Sequence, residues 1–189
     1  MKTRLLWPSV FLLMIFLIGG CAGISADSTA DITAKYYVFP FRNPSYQDRE
    51  FSGVGMRFTN AFAAACAKHS LDVTIVMNDQ FDSSKDTNLQ DALTYSMDTG
   101  ADYIIYGYVT KWVDKPTLLT SERDFAGLSI FVRSVESGEV VFSSEIQAHG
   151  IRYSSHGSGI SQLGLGYTGA RVNLIQSLAT EMAEKFLGM

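Results

Sequence analysis

The stretch ADYIIYGYVTKWVD, residues 101–114, constrains the fold more than any other segment of this chain. It is dense in aromatic and β-branched residues, which favour β-strands over helices. Because apolar side chains occupy both alternating sets of positions, such a strand must be buried on both sides. The segment therefore predicts a strand in a sheet that is covered by helices.

The other elements follow an order of βαβαβββα along the chain. Strands are predicted over 35–41, 71–77, 125–135 and 139–151, and helices over 50–69, about 89–99 and a C-terminal segment ending near Phe186. Ser137-Gly138 predicts a tight hairpin turn, and the glycine- and serine-rich segment 154–169 predicts a loop. Two crossover helices followed by a hairpin indicate the α/β (α+β) class, with one mixed five-stranded sheet that pairs parallel early and antiparallel late.

The first 21 residues have the layout of a secretory signal, with a basic start, an apolar run and a close of small residues. The apolar run is shorter than the roughly 20 residues that span a bilayer. Leu17-Ile18-Gly19-Gly20-Cys21 resembles the lipobox of bacterial lipoproteins, which implies acylation of Cys21, and Ala22 implies sorting to the outer membrane. We predict a signal peptide over 1–20, an acylated cysteine and flexible tether over 21–34, and one globular periplasmic domain over 35–189.

The charge balance argues against a nucleic-acid partner. Signal cleavage removes Lys2 and Arg4, so the 15 basic residues fall to 13 against 19 acidic ones, and the net charge becomes −6. Binding to phosphate backbones requires a basic face. An acidic surface is compatible with a cationic ligand, although solvation alone explains it.

GLGYTG, residues 164–169, matches the glycine fingerprint of dinucleotide-binding folds. That site needs a strand directly before the glycines and an acidic residue about 20 positions after them. The preceding predicted strand ends near Ile151, and twenty positions after Gly169 is Met189, the last residue. We therefore interpret the glycines as part of a loop that enters the last helix, and expect no nucleotide cofactor.

No segment has the spacing of an active site or a metal site. Cys66 lies among small residues in AFAAACAKH, which predicts a buried, unreactive thiol, and with Cys21 acylated it has no disulfide partner. His149 and His156 have no third ligand at metal-binding spacing. The sequence thus predicts a protein that is not an enzyme.

Three segments resemble the periplasmic lipoprotein group that shares the fold of CsgG, PelC and the amino-terminal domain of TolB. They are YYVFPFRNPS at residue 36, GADYIIYGYVTKW at residue 100 and LSIFVRSVESGEVVFSSE at residue 128. The strand near Trp112, followed by a polar loop, is most similar to PelC-like lipoproteins. This resemblance implies a homo-oligomer, in the form of a ring. The chain lacks the additional alternating hairpins with which CsgG forms a pore.

Trp112, Lys111 and Lys115 are the predicted partner or membrane contacts. Alternation along the strand predicts that Trp112 shares a face with Tyr106 and Tyr108. An amphipathic indole flanked by charges at a strand end suits an interface or a lipid headgroup layer. The alternative is that the indole caps the edge of the core.

The function predicted from these features is an outer-membrane-anchored periplasmic lipoprotein. It would act as a noncatalytic accessory of a cell-envelope machine that exports an exopolysaccharide or protein, with proteins of that machine as partners. Two alternatives remain open at this point. One is an activator of a peptidoglycan synthase, similar to LpoB, and the other is a periplasmic enzyme or small-ligand-binding protein.

Overall fold

A computed structural model describes residues 30–46, 49–113, 125–149 and 160–189 of the chain. Its helices are α1 (Val54–Lys68), α2 (Leu89–Thr99) and α3 (Ile160–Leu187). Its strands are β1 (Lys35–Val38), β2 (Ser45–Tyr46), β3 (Arg49–Glu50), β4 (Asp72–Ile75), β5 (Tyr103–Val113), β6 (Phe125–Ser134) and β7 (Val140–His149).

One mixed sheet organises these elements, with five strands in the order β4-β1-β5-β6-β7. The strand β1 pairs in parallel with β4 and β5, while β5, β6 and β7 pair antiparallel. The predicted fold class, element order and pairing directions are confirmed. The two-residue strands β2 and β3 form a separate ribbon between β1 and α1 that the sequence did not predict.

The chain stays beside β5 after β1 ends. Pro40 has no N–H group with which to continue a ladder, so regular pairing stops at Val38. The Phe39 N–H still donates to the Ile105 carbonyl at 2.8 Å, and the Arg42 N–H donates to the Gly107 carbonyl at 2.9 Å. Arg42 is therefore held against the second half of β5.

The first face of the sheet is covered by α1 and α3. Phe58 and Phe62 of α1, together with Leu178, Met182 and Phe186 of α3, are fully buried against it. Apolar residues at spacings of three and four produce this pattern, because those positions share one side of a helix. The predicted C-terminal helix is confirmed here, and its buried apolar face includes the residues from Ile175 to Phe186 at this spacing.

The second face is covered by α2 over β1 and the start of β5. Ala92 of α2 packs there with Tyr37, Phe39 and Ile104 in a second buried cluster. The Asn88 side chain caps the helix by accepting from the Gln90 N–H, and Gly100 ends it in the left-handed region at φ 73°. Because α2 is only 11 residues long, it does not extend over the far half of β5.

The last helix begins earlier than the sequence predicted. It starts at Ile160, so residues 164–169 are helical rather than part of a loop. In the sequence, Ile160, Leu163 and Tyr167 continue the helical spacing of the apolar face, and the intervening glycines concealed it. Each glycine costs about 1 kcal/mol in a helix, a cost that helix packing can override.

Candidate functional site

Two of the predicted site residues lie outside the part of the chain that the structure describes. These are the lipidation site Cys21 and Lys115, and their roles stay predictions. Trp112 and Lys111 lie near the end of β5, where the structure describes both side chains. In the described ranges, no helix is long and apolar enough to cross a membrane.

A β-bulge decides which way Trp112 points. The register between β5 and β6 shifts between Val109 and Lys111, so one residue, Thr110, is extra. An extra residue reverses the alternation of side chains beyond it. The prediction that Trp112 shares a face with Tyr106 and Tyr108 is therefore wrong.

Trp112 is instead half-buried against α1 on the first face. Its ring meets the ring of Phe58 edge-on, with centroids 6.2 Å apart and planes at 89°. Edge-to-face pairs of this kind add about 0.5–1.5 kcal/mol to the stability provided by burial. The indole thus caps one edge of the core, and part of it stays in contact with solvent.

Lys111 lies on the opposite face and is exposed. Its ammonium is 5.5 Å from the ring centroid of Phe125, which in turn lies 4.6 Å from the ring of His149. The two predicted contacts are adjacent in sequence but occupy opposite faces of the sheet. A single partner surface laid on one face would therefore meet only one of them.

Aromatic side chains line the second face beyond the reach of α2. The rings of Tyr106 and Phe131 stack with centroids 5.3 Å apart, and Tyr108 lies 5.8 Å from Phe131. Tyr108 is 40% exposed, which is high for a tyrosine in the middle of a long strand. Its ring therefore contacts Phe131 while a large part of the residue stays accessible to solvent.

A crevice of about 300 Å³ lies next to Tyr108, and the sequence did not predict it. Arg42 and Asp86 form an ion pair at this crevice, with Arg42 Nη1 2.7 Å from Asp86 Oδ1 and 2.8 Å from Oδ2. The sequence did contain a signal for this ion pair, because Arg42 follows β1 and Asp86 follows β4. Two parallel neighbours end at the same edge of a sheet, so the loops after them must lie close together.

A buried asparagine holds the two loops of the crevice in place. The Asn43 N–H donates to the Ser83 carbonyl at 2.6 Å, which joins the loop after β1 to the loop after β4. The Asn43 side chain donates to Glu50 and accepts from the Gly55 N–H at 2.8 Å. Arg42 is the neighbour of this residue, so its backbone has little freedom.

Cys66 is buried, as predicted, and burial raises the pKa of its thiol to about 12. The thiolate is the nucleophilic form of cysteine, and at neutral pH this group remains a thiol. Within the described part of the chain, no three His, Cys, Asp or Glu residues are grouped to hold a metal ion. GLGYTG lies inside α3, so its glycines do not form the turn that a pyrophosphate requires.

No protein-family model and no curated protein matches the chain. Among solved structures, the PelC dodecamer from Paraburkholderia phytofirmans is similar over 81% of this chain and 89% of that chain, at 18% identity and a TM-score of 0.55. A dodecamer of a single-residue PelC variant from the same organism covers 81% and 91%, at 17% identity and a TM-score of 0.52. The LpoB C-terminal domain from Escherichia coli covers 72% and 93%, at 15% identity and a TM-score of 0.43. The chain has the fold of PelC, and the structural resemblance predicted from the sequence is confirmed.

Proposed function

We propose that this chain is a periplasmic lipoprotein, anchored to the outer membrane through Cys21, that acts as a noncatalytic accessory of a cell-envelope machine. The machine would export or assemble an exopolysaccharide or a protein. One observation carries the proposal: a lipobox-like segment at Leu17–Cys21 and the fold of PelC occur in the same chain. Since a fold alone does not specify function, the N-terminal segment is the necessary second part.

The length of the tether supports an action close to the membrane. Residues 22–34 number 13, and a fully extended chain of that length reaches at most about 45 Å. The structure describes the chain from Ala30, which packs against the first-face core, so the free part of the tether is shorter still. A partner of this domain would therefore be an envelope component near the inner leaflet of the outer membrane.

The buried thiol supports a noncatalytic role. Cys66 is the one cysteine left in the mature chain once Cys21 is acylated. It is inaccessible to substrate, and its raised pKa keeps it protonated at neutral pH.

Self-association through the end of β5 is part of the proposal. The two PelC structures are described as dodecamers. In this chain Lys111 is exposed and Trp112 is half-buried with part of its ring in solvent, and Lys115 follows in the sequence. An interface residue of this kind can contribute 2 kcal/mol or more to binding.

Replacement of Cys21 tests the anchor. The Cys21→Ser chain should lose the acyl mass and leave the outer-membrane fraction, because each buried CH₂ contributes about 0.8 kcal/mol to membrane binding. Cys66→Ala is the matched control, since it removes the other cysteine and should stay with the membrane. The measurements are membrane fractionation and intact-protein mass spectrometry. If Cys21→Ser fractionates with outer membranes as the natural chain does, the proposed anchor is wrong.

Crosslinking in cells, followed by mass spectrometry, tests the partner. Crosslinks from the β5 end to a second copy and to an export or assembly protein would support the accessory role. Crosslinks to a peptidoglycan synthase would instead favour the alternative of an LpoB-like activator. Light scattering of the purified chain measures self-association, and a strictly monomeric protein would contradict the proposed oligomer.

A further inference from the structure

The crevice beside Tyr108 lies where open α/β sheets bind ligands. The chain leaves β1 toward α1 on the first face, and it leaves β4 toward α2 on the second face. Adjacent parallel strands whose connections diverge in this way open a gap beyond their carboxyl ends. Arg42 and Ser45 come from one connection and Asp86 from the other, while Tyr108 and Thr110 of β5 form the wall.

The crevice has hydrogen-bonding capacity that the protein does not use. Arg42 donates to Asp86 through Nη1 alone, and its Nε and Nη2 have no hydrogen-bond partner among the described residues. The side chains of Arg42 and Asp86 are 41% and 73% exposed. A guanidinium offers only donors and a carboxylate only acceptors, so the pair presents both kinds of group side by side.

The charges of Arg42 and Asp86 cancel, which limits the kinds of ligand that this crevice can bind. An anion attracted to Arg42 would meet the carboxylate of Asp86, and a cation attracted to Asp86 would meet the guanidinium. An uncharged group that both donates and accepts hydrogen bonds suffers neither repulsion. Hydroxyl groups on neighbouring carbons have this property, because each can donate to Asp86 and accept from Arg42.

The ring of Tyr108 adds an apolar platform. It lines the crevice, is 40% exposed, and has Phe131 on one side at 5.8 Å. The face of an aromatic ring is electron-rich, so it attracts the slightly positive C–H groups of a saturated ring. A sugar ring combines such a C–H face with hydroxyl groups at its edge.

We propose that the crevice formed by Arg42, Asp86 and Tyr108 binds an uncharged sugar ring. Its volume of about 300 Å³ suits a small ligand. The hydrogen bonds of Asn43 hold both loops in place before the ligand arrives, which lowers the entropic cost of binding. This inference goes beyond the accessory role and requires neither the lipid anchor nor self-association.

Saturation-transfer NMR on the full mature chain tests the site, with D-glucose, D-galactose and N-acetyl-D-glucosamine as probes. The protein is kept in a detergent without a sugar head group, because such a head group would compete. At least one sugar should bind with a Kd in the millimolar range, and its ring C–H protons should receive the strongest saturation. Tyr108→Ala and Asp86→Ala should each weaken binding about tenfold or more.

Two variants serve as controls. Tyr108→Phe keeps the platform and should bind within about twofold of the natural chain. Val113 lies on the same strand and face as Tyr108, with a similar exposed fraction of 37%, but it does not line the crevice. Val113→Ala should therefore bind the sugar as tightly as the natural chain does. Thermal melting by circular dichroism checks that each variant is folded.

Three results would overturn the inference. They are no saturation of any of the three sugars, equal binding by Tyr108→Ala and the natural chain, and binding of sodium acetate in place of the sugars that is lost in Arg42→Ala. Because none of these measurements involves Cys21 or a partner protein, they leave the proposed accessory role to its own tests.

Discussion

Replacement of Trp112 by alanine tests whether the indole belongs to the core edge that the structure shows. The substitution removes the edge-to-face contact with Phe58 and the apolar area that the indole covers on α1. Truncating a fully buried aromatic residue to alanine costs 3–5 kcal/mol. Trp112 is only half-buried, so roughly half of that applies, and the ring pair adds about 0.5–1.5 kcal/mol. We expect the free energy of unfolding to fall by about 2–4 kcal/mol.

The assay is urea unfolding of the mature chain, followed by far-ultraviolet circular dichroism. Tryptophan fluorescence does not serve here, because the chain has only Trp7 and Trp112, and Trp7 lies in the proposed signal peptide, so the mature Trp112→Ala variant would have no tryptophan. Lys111→Ala is the matched control: it is the adjacent residue on the opposite, exposed face, and it should change stability by no more than about 0.5 kcal/mol. Both variants must be compared at one assembly state, since association adds apparent stability.

A double-mutant cycle with Phe58→Leu separates the ring contact from general burial. The coupling free energy between the two positions should be about 0.5–1.5 kcal/mol. If Trp112→Ala costs less than about 0.5 kcal/mol and shows no coupling to Phe58, the indole does not support the core. Its contribution would then be confined to a partner or membrane surface.

Two further predictions follow from the core. Gly55→Ala should lower the free energy of unfolding in urea by about 3 kcal/mol or more, because the added Cβ would lie 1.9 Å from the Phe41 carbonyl oxygen. Gly100→Ala should cost only about 1–2 kcal/mol, because Gly100 has φ 73° but no atom within 4 Å of the added Cβ. A larger loss for Gly100→Ala than for Gly55→Ala would contradict this packing. The Cys66 thiol has a pKa of about 12 in the folded chain against an ordinary value of 9.0, so above pH 9 the unfolded state releases its proton first and stability falls by up to about 1.4 kcal/mol per pH unit. Cys66→Ala should lack the part of the stability loss above pH 9 that comes from this thiol. Parallel curves of unfolding free energy against pH for Cys66→Ala and the natural chain would refute the prediction.

Much of the fold was predictable because it depends on sequence patterns within single segments. The aromatic run of β5, the three-and-four spacing of α1 and the Ser137-Gly138 turn each lie within one segment. Periods of two and 3.6 residues are set by the local backbone geometry of strands and helices, so they can be read without knowledge of the partner segment. The start of α3 was missed for a local reason as well, since the glycines at 164, 166 and 169 concealed its apolar spacing.

The direction of the Trp112 side chain could not be predicted from such a local pattern. Nothing in the sequence of β5 marks a break in the strand, and the bulge at Thr110 exists only because β6 pairs with β5 in a shifted register. A single unpaired residue then turns Trp112 toward Phe58 and Lys111 toward Phe125. Register is a property of two strands together, and the sequence of one strand does not contain it.

The sequence by itself determined the element order, the apolar faces of the helices, the buried thiol of Cys66 and the signal-like segment before Cys21, because each depends on neighbouring residues. The tertiary structure alone decided the crevice: Arg42 and Asp86 are 44 residues apart, and neither forms a recognisable motif. They meet because β1 and β4 pair in parallel and end at one edge, where Tyr108 of a third strand completes the wall. Contacts between distant segments depend on sheet topology, and topology is set by the packing of the whole chain rather than by any local pattern.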